Sequence, residues 1–384
     1  MNAENKLPPG QLPVVLPGST IGIFGSGQLG KMMTTAAKQL GYRVHVFSPG
    51  ADTPAGQVAD REFQAAYKDL EAVEQFAKSV DVITLEFENI PVAALAAAGK
   101  HVRVYPGGQA LRIPQNRSLE KNFLRDNDIP TCEFRIVRTL DELKAAGQEI
   151  MPGVLKTTSG GYDGKGQFVI REEADIETAW AELKTDEAIL EEFIEFEYEF
   201  SVIGGRSANG QFAAYPSFRN DHRNQILDVS ISPSGLEASL DAQGTQVVQG
   251  IMEALGAVGV LCVEFFYRDG QILVNEMAPR PHNSGHLTIE GHATSQFEQH
   301  VRAVCGLPLG TTAQVAPAAM VNLLGDCWAN GEPNWQACLE LPGVSLHLYG
   351  KEKPAPARKM GHITAVADTV EEARRLAVAA RDLL

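Results

Sequence analysis

Lys156-Thr157-Thr158-Ser159-Gly160-Gly161-Tyr162-Asp163-Gly164-Lys165-Gly166 lies between two short apolar runs, Val154 to Thr157 and Gln167 to Arg171. Both runs have the length and composition of strands, so a strand delivers Lys156 to the mouth of a glycine-dense loop carrying a second lysine. Two ammonium groups beside flexible backbone amides suit a polyphosphate, because charge neutralisation and N–H donation act on the same oxygens. The stretch is not a Walker loop: counted back from Lys165, the first glycine position is Ser159, and Gly166 stands where a Ser or Thr is needed. Equal glycine density suits a surface hairpin turn, and the loop alone leaves both readings open.

A second acidic feature lies downstream. Glu264 and Glu276 sit in two apolar runs, Gly259 to Tyr267 and Ile272 to Met277, joined at Arg268-Asp269-Gly270. A carboxylate in an apolar strand is costly unless it is paired or holds a metal, and Mg²⁺ takes one or two carboxylates together with phosphate oxygens. Register decides whether both glutamates serve one site. A two-residue turn at Asp269-Gly270 sets Val263 opposite Glu276 and sends the glutamates to opposite faces. A three-residue turn, with Gly270 left-handed, sets Glu264 opposite Val274 and Cys262 opposite Glu276, so both share a face as diagonal neighbours. The three-residue turn is expected. The alternative is a hairpin with one glutamate on a solvated face. Asn275 and the loop Pro279-Arg280-Pro281-His282-Asn283-Ser284-Gly285-His286 follow; Arg280 is placed to hold an anion near the glutamates, and neither histidine has metal-ligand spacing.

Towards the amino terminus, Thr20 to Phe24, Gly25-Ser26-Gly27-Gln28-Leu29-Gly30, a helical stretch to Leu40 and a run from Arg43 to Phe47 form a strand–glycine loop–helix–strand unit, which implies a parallel sheet. Further strands are expected at Asp81 to Leu85 and His101 to Val104, with a helix from Val92 to Ala98. The glycine loop suits an anion at a helix start. A dinucleotide site also needs an acid at the end of the second strand, and Phe47-Ser48-Pro49 supplies none. A structural tight turn fits the loop equally well. From Asn116, which caps a helix ending before Pro130, the alternation gives way to an α+β pattern with strands at Ala188 to Ile194, Tyr198 to Ile203 and Gln225 to Ile231 and a helix near Thr245 to Leu255. The last helix runs from Val370 to Leu384. The expected division is a flexible leader over 1–19, with its four prolines, a parallel α/β domain over 20–115, a two-lobed central domain over 116–310 and a small mixed domain over 311–384.

With 384 residues, several domains are needed, and 44% hydrophobic with 21% charged residues describes a soluble globular chain. A net charge of -15 argues against a nucleic-acid partner. Five scattered cysteines without a CxxC pair support neither zinc nor a disulfide framework. No signal peptide and no membrane span is apparent, and the expected location is the cytoplasm.

Lys156, the GGYDGKG loop, the EEFI strand, Glu264, Glu276 and NEMAPRPHNSGH together resemble the ATP-grasp ligases. Among them the chain is most similar to the N5-carboxyaminoimidazole ribonucleotide synthetases, through GQLG at 27–30, Thr84 to Pro91, Ser295 to His300, Tyr349-Gly350-Lys351 and Arg358 to His362. The resemblance covers Ile21 to His362. It implies ATP between two lobes, met by Arg117, Lys156, Gly161, Tyr162, Asp163, Gly164, Lys165, Gly166 and Gln167. Glu191, Glu192, Phe193 and Ile194 would line the adenine, Glu199 would hold the ribose, and His222 and Asn275 would approach the phosphates with Glu276. Glu264 and Glu276 would carry Mg²⁺. Gln28, Leu29, Glu86, Tyr162, Asp163, His282, Asn283, Lys351 and Arg358 would grip 5-aminoimidazole ribonucleotide, with Arg280, His282 and Asn283 around bicarbonate. Two departures stand out: Ser26 replaces a frequent glycine, and Glu276-Met277-Ala278 replaces the usual Glu-x-Asn, with Asn275 ahead of the glutamate instead.

The implied reaction transfers the γ-phosphate of ATP to bicarbonate, forming carboxyphosphate, whose carbon dioxide is trapped by the ribonucleotide's amine. The GGYDGKG loop is the expected lid, Arg280, Glu86 and Tyr162 the expected catalytic residues, and Glu86 the acceptor for the amine. A homodimer is implied by the resemblance. Rival readings are another ATP-grasp ligase, such as a formate-dependent transformylase or a biotin carboxylase, an NAD dehydrogenase, and a non-catalytic ATP sensor. A dehydrogenase leaves the lysine loop and the glutamate hairpin unexplained. A sensor would retain the lysines and lose one metal glutamate, and both glutamates are present, which favours an enzyme.

Overall fold

The structure, a computed structural model, describes residues 13–160 and 166–384. Strands β1 (Thr20–Phe24), β2 (Arg43–Ser48), β3 (Arg61–Gln64) and β4 (Val82–Leu85) form a parallel sheet in the order β3-β2-β1-β4. Its central strands are apolar on both faces because helices cover both: α1 (Gln28–Gln39) on one side, α2 (Leu70–Ala77) and α3 (Val92–Ala98) on the other, where Phe24, Phe47 and Phe76 interlock. The segment His101 to Val104 was expected to add a strand. It contributes a single bridge, Val104 to Ile83, before Pro106 and Gly107 turn the chain off the edge. The edge strand β3 went unread because its residues are only half-buried and carry no apolar run.

Of the expected leader, residues 13–19 are tied down rather than flexible. Val15 is buried; its N–H donates to the Cys305 carbonyl at 2.8 Å, and its own carbonyl accepts from the Tyr42 hydroxyl at 2.7 Å.

After α4 (Gly108–Arg112), α5 (Arg117–Asp126) starts at Asn116, whose side chain accepts the Leu119 N–H. A small antiparallel sheet follows, built from β5 (Phe134–Val137), β6 (Gly153–Thr157), β7 (Gln167–Ile170) and β8 (Ala188–Glu192) in the order β5-β8-β6-β7. Helices α6 (Leu140–Glu149) and α7 (Asp175–Leu183) pack on one face through Leu143, Ile176, Leu155 and Leu190. Alternation then turns Val154, Lys156 and Glu191 to the opposite face.

The second lobe is a larger sheet. Its strands are β9 (Tyr198–Arg206), β10 (Phe212–Ala214), β11 (Phe218–Arg223), β12 (Ile226–Ser232), β13 (Gly259–Arg268), β14 (Gln271–Ala278), β15 (Ala318–Leu324), β16 (Val344–Leu348) and β17 (Lys359–Val366). They run β14-β13-β9-β11-β12-β15-β17-β16, with β10 on β9. The carboxy-terminal strands therefore extend the sheet of the central lobe. Helices α8 (Ala238–Leu255), α9 (Thr288–Gly291), α10 (Gln296–Cys305), α11 (Trp335–Leu339) and α12 (Val370–Asp382) cover its faces. Helix α10 also packs against α1, and buried His300 bridges the first sheet to the second: its Nδ1 accepts the Val260 N–H at 3.0 Å, and its Nε2 meets the Thr84 hydroxyl at 2.7 Å.

Candidate active site

One cavity of about 700 Å³ opens between the small sheet, the large sheet and the end of the first sheet. Glu264 and Glu276 line it, but the turn that joins their strands is not the expected one. Arg268 pairs with Gln271, and Asp269 and Gly270, with φ of 52° and 76°, form a two-residue turn. Asp-Gly favours this turn because it tolerates left-handed backbone at both central positions. Continued without a break, that register would set Glu276 against Val263. The ladder shifts instead between Glu264 and Phe265, leaving Asn275 as an extra residue on β14, so that Glu264 pairs with Glu276 and Cys262 with Ala278. A β-bulge brings the carboxylates to one face, where the longer turn was expected to do so.

The bulge is gripped from α5. Buried Lys121 donates to the Asn275 carbonyl at 2.8 Å, the Val274 carbonyl at 3.3 Å and the Thr131 hydroxyl at 2.8 Å. Its neighbour Glu120 accepts the Met277 N–H at 2.7 Å. Sequence reasoning missed both residues; the signal was a charged pair on the buried face of a helix. Burial, with Glu276 adding to it, pushes the carboxyls of Glu120 and Glu264 up to about 8. Two facing carboxylates, with burial and the Glu276 charge both disfavouring the ionised form of Glu264, are a donor set that fits a divalent cation. No group of three or more His, Cys, Asp or Glu able to hold a metal occurs among the described residues. A cation here would complete its shell with other oxygens, as Mg²⁺ does on phosphates.

Across the cavity, Lys156 meets Glu191 at 2.6 Å. Burial alone would raise the Glu191 carboxyl, but Lys156 and Lys121 hold it down to about 2. Arg117 donates to the Thr157 carbonyl at 3.1 Å. Glu192, Phe193, Ile194 and Gln167 share the wall, and Glu192 pairs with Arg268 at 3.0 Å. Glu199 and His222 hold each other at 2.6 Å; burial lowers the His222 pKa but Glu199 raises it further, for a net upward shift. Phe196 and Phe266, stacked at 4.7 Å, add an apolar patch that was not anticipated.

At the end of the first sheet, Glu86 is buried, and its carboxylate accepts the N–H groups of Gly27 and of Gly30, the latter at 2.7 Å. A Cβ on Gly25, which has φ of 98°, would come within 2.3 Å of the Glu86 side chain. The anion at the glycine loop is therefore the chain's own carboxylate, which leaves a dinucleotide phosphate no place on those amides. Gln28, Leu29, Glu86, Asn275, Arg280, His282 and Asn283 all line the cavity. His282 stands 3.6 Å from Glu264, and Asn283 pairs with Asn322 at 3.0 Å. Lys359 is a further lining residue that the sequence did not single out.

Some assigned residues lie elsewhere. Gly161, Tyr162, Asp163, Gly164 and Lys165 fall outside the described residues. Gly166, Lys351 and Arg358 are not part of the cavity wall. Gly166 bonds Thr157 through its carbonyl, Lys351 donates to the Lys359 carbonyl at 2.5 Å, and exposed Arg358 donates to the Lys353 carbonyl at 2.6 Å. Their segment nonetheless leans on the first turn of α1, where Lys31 donates to the carbonyls of Leu348 and Tyr349, both at 3.2 Å.

Comparison with known proteins covers almost the whole chain. Residues 19–115 match the ribonucleotide synthetase preATP-grasp domain, 122–297 the ATP-grasp domain and 318–376 the phosphoribosylaminoimidazole carboxylase C-terminal domain. The N5-carboxyaminoimidazole ribonucleotide synthase of Bacillus subtilis is 48% identical over 91% of this chain and 92% of its own length. That of Pseudomonas aeruginosa is 42% identical over 90% and 93%. The crystal structure of an ADP complex of an N5-carboxyaminoimidazole ribonucleotide synthetase superposes with a TM-score of 0.92 at 44% identity, covering 96% of this chain and 98% of that one. The Aspergillus clavatus N5-carboxyaminoimidazole synthase, in complex with ADP and 5-aminoimidazole ribonucleotide, superposes with a TM-score of 0.87 at 31% identity over 95% and 99%.

Proposed function

This chain belongs to the N5-carboxyaminoimidazole ribonucleotide synthase family, and from that membership we propose how its cavity works. The chain is an ATP-grasp ligase that carboxylates 5-aminoimidazole ribonucleotide at the expense of ATP in purine biosynthesis. The observation carrying the residue assignments is the bulge that turns Glu264 and Glu276 to one face of a cavity also lined by Lys156 and Arg280.

Bicarbonate is the carboxyl donor in this reading. One of its oxygens attacks the γ-phosphorus of ATP, the bond from that phosphorus to the bridging oxygen breaks, and ADP and carboxyphosphate result. Carboxyphosphate loses phosphate to give carbon dioxide, and the ribonucleotide's amine attacks that carbon and sheds a proton. Positioning and charge neutralisation supply most of the acceleration in such a transfer. Lys156 meets the triphosphate after leaving Glu191, and Arg280 holds bicarbonate. Glu264 and Glu276 would hold Mg²⁺, which neutralises phosphate charge. Glu86 orients the amine and accepts the proton it sheds; its fixed place over the Gly27 and Gly30 amides and its position on the cavity wall support this. Lys351 and Arg358 meet the ribonucleotide beside the first turn of α1.

The test measures ADP release with each substrate omitted in turn, together with carboxylated product. ADP formation that ignores bicarbonate would overturn the donor assignment. Full activity of Glu86→Gln would remove Glu86 from its role. No helix of the described residues is long and apolar enough to cross a membrane. The cysteines are free, as a reducing cytoplasm would keep them, and that supports the cytoplasmic location. The proposed assembly is a homodimer, measurable by light scattering.

A further inference from the structure

Arg280 leaves β14 beside the glutamate pair, yet its charge is already engaged. Glu88, from the segment that follows β4 in the first domain, takes the Nε of Arg280 at 2.5 Å and the Nη2 at 3.1 Å. The two side chains are mostly buried, 20% exposed for Arg280 and 27% for Glu88. Glu88 is itself held: the Gln115 side chain donates to the Glu88 carbonyl at 2.5 Å and the Ile90 carbonyl at 2.9 Å. Arg280, Glu88 and Gln115 all line the cavity.

A guanidinium has two edges that can each take a planar oxyanion in a paired fashion, the Nε–Nη2 edge and the Nη1–Nη2 edge. Glu88 takes the first. On the second, the partner among the described residues is the Pro281 carbonyl, at 3.3 Å from Nη1. We infer that Glu88 is a positioning residue for the carboxylation: it grips Arg280 by its Nε–Nη2 edge, so that the Nη1–Nη2 edge is presented, already oriented, to the trigonal carboxylate of bicarbonate. The inference rests on the reading of Arg280 as the bicarbonate contact. It also ties the first domain, where the amine substrate is proposed to sit, to the anion site of the central lobe through one ion pair.

The experiment follows ADP release with bicarbonate and ATP varied separately, for Glu88→Gln, Glu88→Asp, Arg280→Lys and the Glu88→Gln/Arg280→Lys double variant. Loss of orientation is expected to raise the bicarbonate KM of Glu88→Gln by about tenfold or more, with the ATP KM held within about twofold. Glu88→Asp, which keeps the charge, recovers part of that loss. Arg280→Lys cannot present a planar fork and weakens bicarbonate by itself; adding Glu88→Gln to it costs little more. Equal effects of Glu88→Gln on both substrates would mark a merely structural pair and overturn the inference, as would no effect on either. Should Arg280→Lys leave the bicarbonate KM untouched, the anion assignment of Arg280 falls and takes the inference with it. An affected Arg280→Lys beside an unaffected Glu88→Gln sinks the positioning role alone.

Discussion

Replacing Glu264 with glutamine should make the metal-free protein more stable at neutral pH while disabling it. Glu264 faces Glu276 directly across β13 and β14, and burial followed by that neighbour pushes its carboxyl up to about 8. A folded-state pKa above the usual carboxylate value means that the folded chain keeps a proton which the unfolded chain releases. The group's contribution to stability is therefore full below the usual carboxylate pKa and is lost as pH rises towards about 8. Each pH unit in that window is worth about 1.4 kcal/mol, so roughly 3 kcal/mol has gone by neutral pH. The amide introduced by Glu264→Gln cannot titrate and escapes that loss. In EDTA, the melting temperature of Glu264→Gln relative to wild type should climb between about pH 5 and about pH 8, by roughly 4 °C if the whole chain melts as one cooperative unit. Saturating Mg²⁺ and ATP should reverse the order, because ligand binding then stabilises the wild type and not the variant. A melting difference that stays flat or falls with pH would refute the account of the pair.

Other outcomes follow from the same contacts. Lys121→Met leaves the bulge carbonyls of Val274 and Asn275 without their buried donor; it should cost about 2 kcal/mol or more in urea unfolding and raise the Mg²⁺ concentration for half-maximal activity by about tenfold. Glu191→Gln strips the countercharge from Lys156 and Lys121. It should destabilise by about 3 kcal/mol at neutral pH. Because the Glu191 pKa is depressed to about 2, the gap to wild type should shrink below the usual carboxylate pKa and close as pH falls towards about 2; a constant gap would contradict this. His300, neutral and pushed down to about 3 by burial, supports the fold above its ordinary pKa and withdraws that support as acid is added. His300→Gln should be less stable than wild type at about pH 7 in urea and approach it near about pH 4.

What could be read from the chain was local. The strand–loop–helix at Thr20 to Leu40, the cap at Asn116, the lysine-bearing strand and the acidic hairpin each announce themselves within a few residues, because backbone preference and side-chain alternation act at that range. The resemblance then grouped those pieces into one site, and the cavity contains most of them. What the chain did not disclose was how the pieces meet. The Asp269-Gly270 turn was legible as Asp-Gly, yet the register beyond it depends on a bulge held by Lys121 and Glu120, side chains from a helix far away in sequence. The occupant of the glycine loop, Glu86, and the partner of Arg280, Glu88, come from the end of β4, and only packing brings them there. Local rules settle which elements form. Register, charge pairing and the direction of a side chain are settled by the neighbours that supply the missing donor, acceptor or countercharge, and those neighbours are fixed only when the domains close on one another.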